Sequence, residues 1–417
     1  MKAQSAEPSA QAEYQILDEA SVEDYVREHP MLDALVGHGE RLLVREVGDG
    51  NLNLVFVVRA DPASVGIVLK QALPWVRVHG PSWALTPKRA VAEARAYTVH
   101  QEFAADFIPR FFAFDRENYI LAMEDLSDLR NWRTALNDGE IHQSSAHAVG
   151  EYVALVAFHT SAFGLESERM RSLAAESSNP ELCRITEDLV LTEPFVSHEH
   201  NWHHPDLDAF VAEFRRDTAV LDEVTQLKMR FLTSGEALIH GDLHTGSVMV
   251  GGGRTVALDP EFCFYGPVAF DLGALWANFI IAAARAWHLK RPAEFQEHVA
   301  SLLPASWQAF NNKLRELWPS RPDQLIRDAA LEGFLESTWT DALGFAGAKM
   351  TRRMIGYAHV SDIETLTEPE RSRAALGVLS IARRLLLERR GLRMPSDVAE
   401  VIAHEFARTP TSVAEAR

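Results

Sequence analysis

The sequence predicts an α+β fold in two parts, a small mixed β-sheet followed by a larger, mainly helical part. Runs of apolar and β-branched residues are concentrated before residue 125, and helical periodicity dominates after it. The chain has 417 residues, which is long for one hydrophobic core and sufficient for two. A boundary close to residue 125 is therefore expected.

The N-terminal part is predicted to contain a helix over 22–36, then the order β-β-β-α-β-β. A proline at the first turn favours a helix over 87–105. Gly and Asn residues between the first two apolar runs indicate a tight turn. The expected strands are 42–47, 54–59, the run ending at Lys70, 110–115 and 119–124.

The rest of the chain is predicted to be helical except for a β-rich island at 237–259. Helices are expected at 142–163, at 207–231 and from about 269 onward. The predicted domains are a disordered lead at 1–13, a sheet-bearing lobe at 14–125 and a helical lobe at 126–417. The apolar window 268–287 contains charged residues, so it is interpreted as a buried helix and not as a membrane span.

Composition narrows the function. The formal net charge of −18 argues against nucleic acid and anionic membranes as partners. The two cysteines have no metal-type spacing, so neither a disulfide framework nor a zinc site is predicted from them. The N-terminus lacks the apolar segment of a secretory signal. A cytoplasmic protein is expected.

The strongest local motif is LIHGDLHTGSVMV at 238–250, in which two apolar runs flank a short polar loop. A hairpin-like frame would present Asp242 and His244 at its tip. A carboxylate on a rigid loop can orient a hydroxyl group and accept its proton during phosphoryl transfer. An ordinary turn with a capping Asp is about equally compatible with this motif alone.

A second motif, VALDPEF at 256–262, ends an apolar run with Asp259 and Glu261. Two carboxylates at this spacing can hold Mg²⁺, which prefers hard oxygen ligands. When the motif is taken alone, solvated acids at a strand end are the favoured explanation. The short separation from Asp242 would put both loop tips on one side of the same small sheet, which favours phosphoryl transfer.

Residues of the N-terminal part could bind a nucleotide. Lys70 ends an apolar strand and Glu93 lies on the next helix, the arrangement by which kinases place a cation on phosphates. The turn containing Gly48, Asn51 and Asn53 could cover phosphates with backbone N–H groups, although it lacks GxGxxG spacing. A surface lysine and an ordinary hairpin turn are the alternatives.

Two further positions complete the interpretation as a kinase. Met123, Glu124 and Leu126 follow the last strand of the N-terminal part, where a hinge would pair with adenine. Asp271 could accept hydrogen bonds from the backbone of the loop around Asp242, or it could simply cap a helix.

These residues resemble a known family. IHGDLHTGS, DPEF and YGPVAFDLGALWAN, together with GDGNLNLVF, KQALPWVRV, MEDLS and TRRMIGYAHV, are similar to the 5-methylthioribose kinases. That family belongs to the group of the aminoglycoside phosphotransferases and choline kinases. The resemblance covers nearly the whole chain after the lead, and it implies a bilobal, protein-kinase-like fold.

The resemblance also implies roles. Asp242 would be the catalytic base, Asp259 and Glu261 would hold Mg²⁺, and Lys70 would contact the phosphates of ATP. Arg352 and Arg353 match a motif that reaches the active site, and Arg353 is expected to meet sugar hydroxyls together with Asp242. The implied substrate is S-methyl-5-thio-ribose, phosphorylated on its 1-hydroxyl in methionine salvage by a homodimer.

Two departures from the family pattern concern ligands. Ser247 stands where many kinases have a metal-binding Asn, and Pro81 replaces an expected acid in the loop GPSW at 80–83. A related kinase acting on an aminoglycoside, choline or homoserine is the first alternative. A catalytically dead binding protein is less compatible, since Asp242, Asp259 and Lys70 are all present.

Overall fold

The computed structural model describes residues 14–37, 41–48, 52–77 and 79–408. They group into two compact units, one within 1–94 and 110–125 and the other within 95–109 and 126–417. These are called the N-terminal unit and the second unit below. The predicted lead at 1–13 lies outside the described residues. The predicted domain boundary near residue 125 stays a prediction. The segment 95–109, which comes before that boundary, groups with the second unit.

The N-terminal unit is built on a five-stranded sheet with the order β1-β2-β3-β5-β4. All its pairings are antiparallel, where a mixed sheet was expected, because β4 and β5 form a hairpin that adds to the edge of β3. The elements are α1 (Ser21–Glu28), α2 (Pro30–Val36), β1 (Leu43–Glu46), β2 (Asn53–Arg59), β3 (Ile67–Ala72), β4 (Phe111–Asp115) and β5 (Ile120–Glu124). Helix α3 (Arg89–Ala104) begins in this unit, and its residues from 95 onward group with the second unit.

One face of this sheet forms a core with α1 and α2. Phe56, Leu69 and Ile120 from three neighbouring strands pack there with Val22 and Val26 of α1. Alternation along the strands puts every second side chain on this face. Lys70, next to Leu69, therefore points to the opposite face, and the register places it beside Leu121.

The second unit is mainly helical. It has β6 (Arg130–Asn131), α4 (Trp132–Asp138), α5 (Ser145–His159), α6 (Ser167–Glu176), α7 (Pro180–Leu191), α8 (Asp208–Phe214), α9 (Thr218–Thr233), β7 (Ala237–Ile239), β8 (Val248–Gly251), β9 (Arg254–Ala257), β10 (Phe264–Gly266), α10 (Val268–His288), α11 (Ala293–Leu317), α12 (Asp328–Ile355), α13 (Ser361–Glu364), α14 (Glu370–Glu388) and α15 (Pro395–Arg408).

Helix α10 is the centre of the second unit and packs against α11, α12 and α14. It is long and apolar enough to cross a membrane by length and composition, but 89% of its most apolar window is buried inside the fold. The prediction of a buried helix is confirmed. A Cβ at Gly273 would lie 2.6 Å from the Cβ of Phe345, so glycine permits the close approach of α10 and α12.

The β-rich island divides into two small sheets. Strand β7 pairs with β10, and β8 pairs with β9 and β6. The predicted hairpin-like frame around Asp242 is therefore wrong, because the runs on either side of the loop pair with other strands. The expectation that Asp242 and Asp259 extend from one sheet is wrong for the same reason, since they follow β7 and β9, respectively.

The predicted α+β class and the order β-β-β-α-β-β are confirmed. Two predicted helices are each divided in the structure. The helix at 22–36 ends at Glu28 and restarts at Pro30, because proline cannot continue the hydrogen-bond ladder. The helix at 207–231 is interrupted before α9, whose N-cap Asp217 accepts from Ala219 N and Val220 N.

Candidate active site

The loop at 240–247, called the Asp242 loop, is held in place by the carboxylate of Asp271. Asp271, in the first turn of α10, accepts hydrogen bonds from His240 N at 2.8 Å and Gly241 N at 2.9 Å. Gly241 has a φ of +82°, which glycine adopts without strain, and a Cβ there would meet the carbonyl oxygen of Phe262. The predicted bonding of Asp271 to this loop is confirmed.

Lys349 and His244 are polar neighbours of the Asp242 carboxylate. Lys349 Nζ donates to Oδ1 at 2.8 Å, and His244 Nε2 lies 3.4 Å from Oδ2. Burial alone would raise the pKa of Asp242, but the lysine ammonium and the histidine hold it well below its usual range. Asp242 is therefore ionised at neutral pH.

His244 is neutral at that pH, because burial lowers its pKa to about 4 despite the adjacent Asp242. Arg133 Nη2, which is always a donor, lies 3.5 Å from His244 Nδ1. This contact favours the tautomer with the proton on Nε2, the atom that faces Asp242. His244 therefore acts as a neutral donor to the carboxylate and does not form an ion pair with it.

Lys349 is buried on α12, and the two predicted arginines follow on the next turn. Burial lowers the pKa of Lys349, Arg352 and Arg353, and each of the three interacts favourably with the charge of Asp242. Arg353 Nη1 donates to Ala358 O at 3.3 Å. Arg352 Nε is buried without a hydrogen-bond partner among the described residues. Both arginines thus lie close enough to Asp242 to respond to its charge.

Asp259 and Glu261 form a second acidic position. A carboxylate oxygen of each lies within 4.8 Å of the other. Asp259 has a φ of +69°, and Tyr97 OH accepts its backbone N–H at 2.8 Å. Asn179 Nδ2 donates to Glu261 O at 2.8 Å, and Glu261 itself is buried. This loop is held rigidly enough to present both carboxylates together.

In the N-terminal unit, Lys70 and Glu93 form a buried ion pair. Lys70 Nζ donates to Glu93 Oε1 at 2.8 Å and to Oε2 at 2.7 Å. The side chains are 9% and 2% exposed, so solvent screens the pair little. The predicted pairing of these two residues is thus present, and it fixes the direction of the lysine side chain.

The remaining predicted residues are dispersed along the chain. Asn53 begins β2, and its Oδ1 accepts from Arg89 Nη2 at 2.8 Å. Gly48 is described as part of a turn, whereas Asn51 lies outside the described residues. Met123 and Glu124 end β5, and Glu124 N donates to Arg110 O at 2.9 Å. Leu126, in the second unit, is buried against Leu129 and Val256.

Sequence reasoning missed Lys349 and Arg133. Lys349 lies three residues before Arg352, and a periodicity of three to four residues along α12 could have revealed it. Arg133 Nη2 also donates to Asn278 Oδ1 at 2.8 Å, and its Nε lies 3.3 Å from buried Asp362. Nothing in the local sequence around Arg133 indicates this position.

Ser247, at the position of an expected metal ligand, is used inside the Asp242 loop. Its Oγ accepts from His244 N at 2.9 Å, and it lies 3.0 Å from Asp242 O and 2.9 Å from His244 O, to either of which it can donate. These bonds stabilise the conformation of the loop. Because Ser247 Oγ is used inside the loop, the carboxylates of Asp259 and Glu261 are the candidate oxygen ligands for a metal ion here.

Comparisons with known proteins agree with this chemistry. Residues 44–302 match the phosphotransferase enzyme family. The chain is 40% identical to the methylthioribose kinase of a Geobacillus species over 374 residues, which are 88% of this chain and 92% of that protein. It is 37% identical to the methylthioribose kinase of Bacillus cereus over 376 residues, which are 89% of this chain and 93% of that protein.

A solved choline kinase from Cryptosporidium parvum is also similar. It is 11% identical, the match covers 94% of each chain, and the TM-score is 0.45. A likeness at this level is too distant to inform function.

Proposed function

We propose that this chain, which belongs to the methylthioribose kinase family of phosphotransferase enzymes, transfers the γ-phosphoryl group of ATP to the 1-hydroxyl of S-methyl-5-thio-ribose. The product is the 1-phosphate, formed in methionine salvage. The observation that carries the proposal is the identity of 37–40% with methylthioribose kinases over about nine-tenths of the chain. The chemistry around Asp242 supports it.

Asp242 is proposed as the catalytic base. It is ionised, and its loop is fixed through Asp271, so the carboxylate can accept a hydrogen bond from the attacking hydroxyl and orient it toward phosphorus. Its depressed pKa makes it a weak base. Proton transfer is therefore expected to occur late, when charge has already moved from the hydroxyl to the phosphoryl group.

Arg352 and Arg353 are proposed to bind the sugar. A guanidinium group offers several fixed donors to hydroxyl oxygens. Both arginines lie near the charge of Asp242, and Arg353 is proposed to meet the same hydroxyls as that carboxylate. A site lined by cations repels cationic acceptors, so this arrangement fits a neutral sugar better than choline or an aminoglycoside.

ATP is proposed to bind mainly through residues of the N-terminal unit. Lys70, fixed by Glu93, would contact the phosphates, and Gly48, Asn51 and Asn53 would lie along the turn that covers them. The adenine is assigned to the backbone of the hinge. The hinge residues are Met123, Glu124 and Leu126.

Mg²⁺ is proposed to bind Asp259 and Glu261. Two carboxylates with oxygens within 4.8 Å of each other fit a hard cation that keeps water and phosphate oxygens as its other ligands. When bound, the ion would neutralise charge on the phosphates. The protein's own contribution is to hold the pair in place through Tyr97 and Asn179.

A homodimer in the cytoplasm is proposed from the family resemblance. The measurement is light scattering coupled to size exclusion, where a mass of twice 46.6 kDa supports the dimer. A single species at the monomer mass across the working concentration range contradicts it.

The function is tested by ADP release with Mg·ATP across a panel of acceptors. The panel contains S-methyl-5-thio-ribose, ribose, choline, kanamycin and homoserine. Turnover with S-methyl-5-thio-ribose and formation of its 1-phosphate, identified by phosphorus NMR, are expected. Comparable or greater kcat/KM with choline, kanamycin or homoserine would contradict the proposed substrate.

A further inference from the structure

We propose that Glu193, His198 and His200 form a binding site for a transition-metal ion of the zinc class, distinct from the acidic pair Asp259 and Glu261. The three residues lie on the segment 193–204, which follows α7 in the second unit. None of them takes part in the proposed phosphoryl transfer. The site is indicated by how their ligand atoms are placed.

One carboxylate oxygen faces two imidazoles at once. Glu193 Oε2 lies 3.0 Å from His200 Nδ1 and 3.5 Å from His198 Nδ1, and the three ligand atoms lie within 4.8 Å of one another. Zinc bonds of about 2.0–2.1 Å in tetrahedral geometry place neighbouring ligand atoms about 3.3 Å apart. The two spacings from Glu193 Oε2 lie on either side of that value, and a single Glu–His hydrogen bond would not bring the second ring to the same oxygen.

The segment is organised around the carboxylate. The Glu193 side chain is 11% exposed and each histidine side chain is 34% exposed. The carboxylate therefore lies at the buried end of the site, and the imidazoles lie at the end that faces solvent. Asn201 Nδ2 donates to Glu193 O at 2.6 Å and to Val196 O at 3.0 Å, which holds the turn in place. An ion could enter from solvent without rearrangement of the core.

The donor set selects the class of metal. Two imidazole nitrogens and one carboxylate oxygen suit Zn²⁺, Co²⁺ or Ni²⁺, while Mg²⁺ and Ca²⁺ prefer oxygen ligands alone. His198 Nδ1 accepts His200 N–H in a long hydrogen bond of 3.3 Å, so this nitrogen carries no proton, and its lone pair would pass from that bond to the ion. Three protein ligands leave a fourth position for water or another small ligand.

The site borders the turn that follows the arginine pair. The His200 ring lies 5.4 Å from that of Tyr357, and Trp202 stacks on His359 with centroids 3.5 Å apart. Ala358 lies between Tyr357 and His359 in the sequence, and its carbonyl oxygen accepts a hydrogen bond from Arg353. Metal binding would therefore stiffen the surroundings of Arg353, and this consequence alone rests on the proposed function.

The test is isothermal titration of the full chain with Zn²⁺ in the presence of excess Mg²⁺, which occupies oxygen-only sites. One tightly bound Zn²⁺ per chain is expected. Glu193→Gln and His198→Ala should each weaken binding at least about 100-fold. His203→Ala is the matched control, because His203 lies on the same segment but bonds Asp208 at 3.0 Å, and it should leave the affinity unchanged.

A second measurement needs no variant. Co²⁺ added to the unsubstituted protein should give visible d–d bands without the charge-transfer band of a thiolate ligand. Three results would each contradict the proposed site. They are no heat of binding on titration with Zn²⁺, a cysteine thiolate charge-transfer band in the Co²⁺ spectrum, and equal Zn²⁺ affinity in His198→Ala and the unsubstituted chain. None of these outcomes bears on turnover of S-methyl-5-thio-ribose, so the two proposals fail separately.

Discussion

At the residue scale, the state of Asp242 depends on one buried ammonium. Lys349 is 5% exposed in its side chain and contacts the carboxylate directly, while Phe270 covers it with its ring at 4.7 Å. A charge buried in this way is stable only while its partner is present. The catalytic carboxylate and Lys349 must therefore be treated as a pair.

Replacement of Asp242 by Asn is expected to abolish turnover and to spare ATP binding. The amide keeps the shape of the side chain but cannot accept a proton, so kcat should fall by at least about a hundredfold. The measurements are steady-state kinetics and nucleotide titration. A variant with kcat close to that of the original chain would contradict the assignment of the base.

Removal of the ammonium should move the acid limb of the pH–rate profile to higher pH. In Lys349→Met the pKa of Asp242 loses the interaction that lowers it, so a higher pH is needed to ionise the base. The measurement is kcat/KM against pH, after circular dichroism has confirmed folding.

Lys228→Met is the control for this shift, because Lys228 also donates one side-chain hydrogen bond, to Thr192 Oγ1 at 2.7 Å, away from Asp242. Its acid limb should not move. An identical limb in the Lys349→Met variant would argue that Lys349 has a structural role only.

The buried His244 should make the free energy of unfolding fall as the pH is lowered from neutral to mildly acidic. Its pKa is about 4 in the folded state and 6.5 in the unfolded chain, so between these values only the unfolded chain binds the proton. Stability is then complete above about pH 6.5 and falls as pH drops toward 4, by about 3 kcal/mol for the full shift. His244→Gln should flatten this part of the dependence in urea titrations, while exposed His147→Gln should not. The same slope of unfolding free energy against pH in the unsubstituted chain, His244→Gln and His147→Gln would contradict the effect assigned to burial of His244.

At the element scale, α10 and α12 position the Asp242 loop from two directions. Asp271 in the first turn of α10 fixes two backbone N–H groups, and Lys349 on α12 fixes the side chain. Gly273 permits the two helices to approach closely at the same level. The orientation of the carboxylate is thus a property of helix packing as much as of the loop.

Asp271→Asn is expected to lower kcat by about tenfold or more with little change in affinity for ATP. The amide nitrogen would face one of two backbone donors, so the loop loses a hydrogen bond and its fixed geometry. The control is Asp222→Asn, which changes an exposed carboxylate on α9. A fall in ATP affinity without a fall in kcat would show that Asp271 acts elsewhere.

The sequence predicted elements better than their partners. The order β-β-β-α-β-β along the chain followed from apolar periodicity, and the bonding of Asp271 to the Asp242 loop followed from proximity along the chain. The pairing of β7 with β10 could not be predicted, because both strands have only three residues and carry no register signal. Lys349 and Arg133 were missed because they reach the Asp242 loop through tertiary packing, which leaves no local motif.

At the scale of the whole molecule, the second unit depends on a segment that comes before the last two strands of the N-terminal sheet. Residues 95–109 belong to the second unit by contact. His100 is fully buried, with Nε2 3.0 Å from Leu238 O and Nδ1 3.1 Å from Tyr152 OH. Tyr97 is also buried and contacts Asp259 N.

A fragment that begins at residue 126 is therefore expected to fold poorly. Without Tyr97 and His100, Leu238 O and Asp259 N lose their partners, and an apolar cavity opens beside β7. We expect residues 126–417 alone to bind the dye ANS and to unfold without a sharp transition, and a peptide of residues 89–109 to restore cooperativity. If the fragment alone unfolds as sharply and at the same temperature as the full chain, the segment 95–109 is dispensable, and a boundary at residue 125 describes an independent domain.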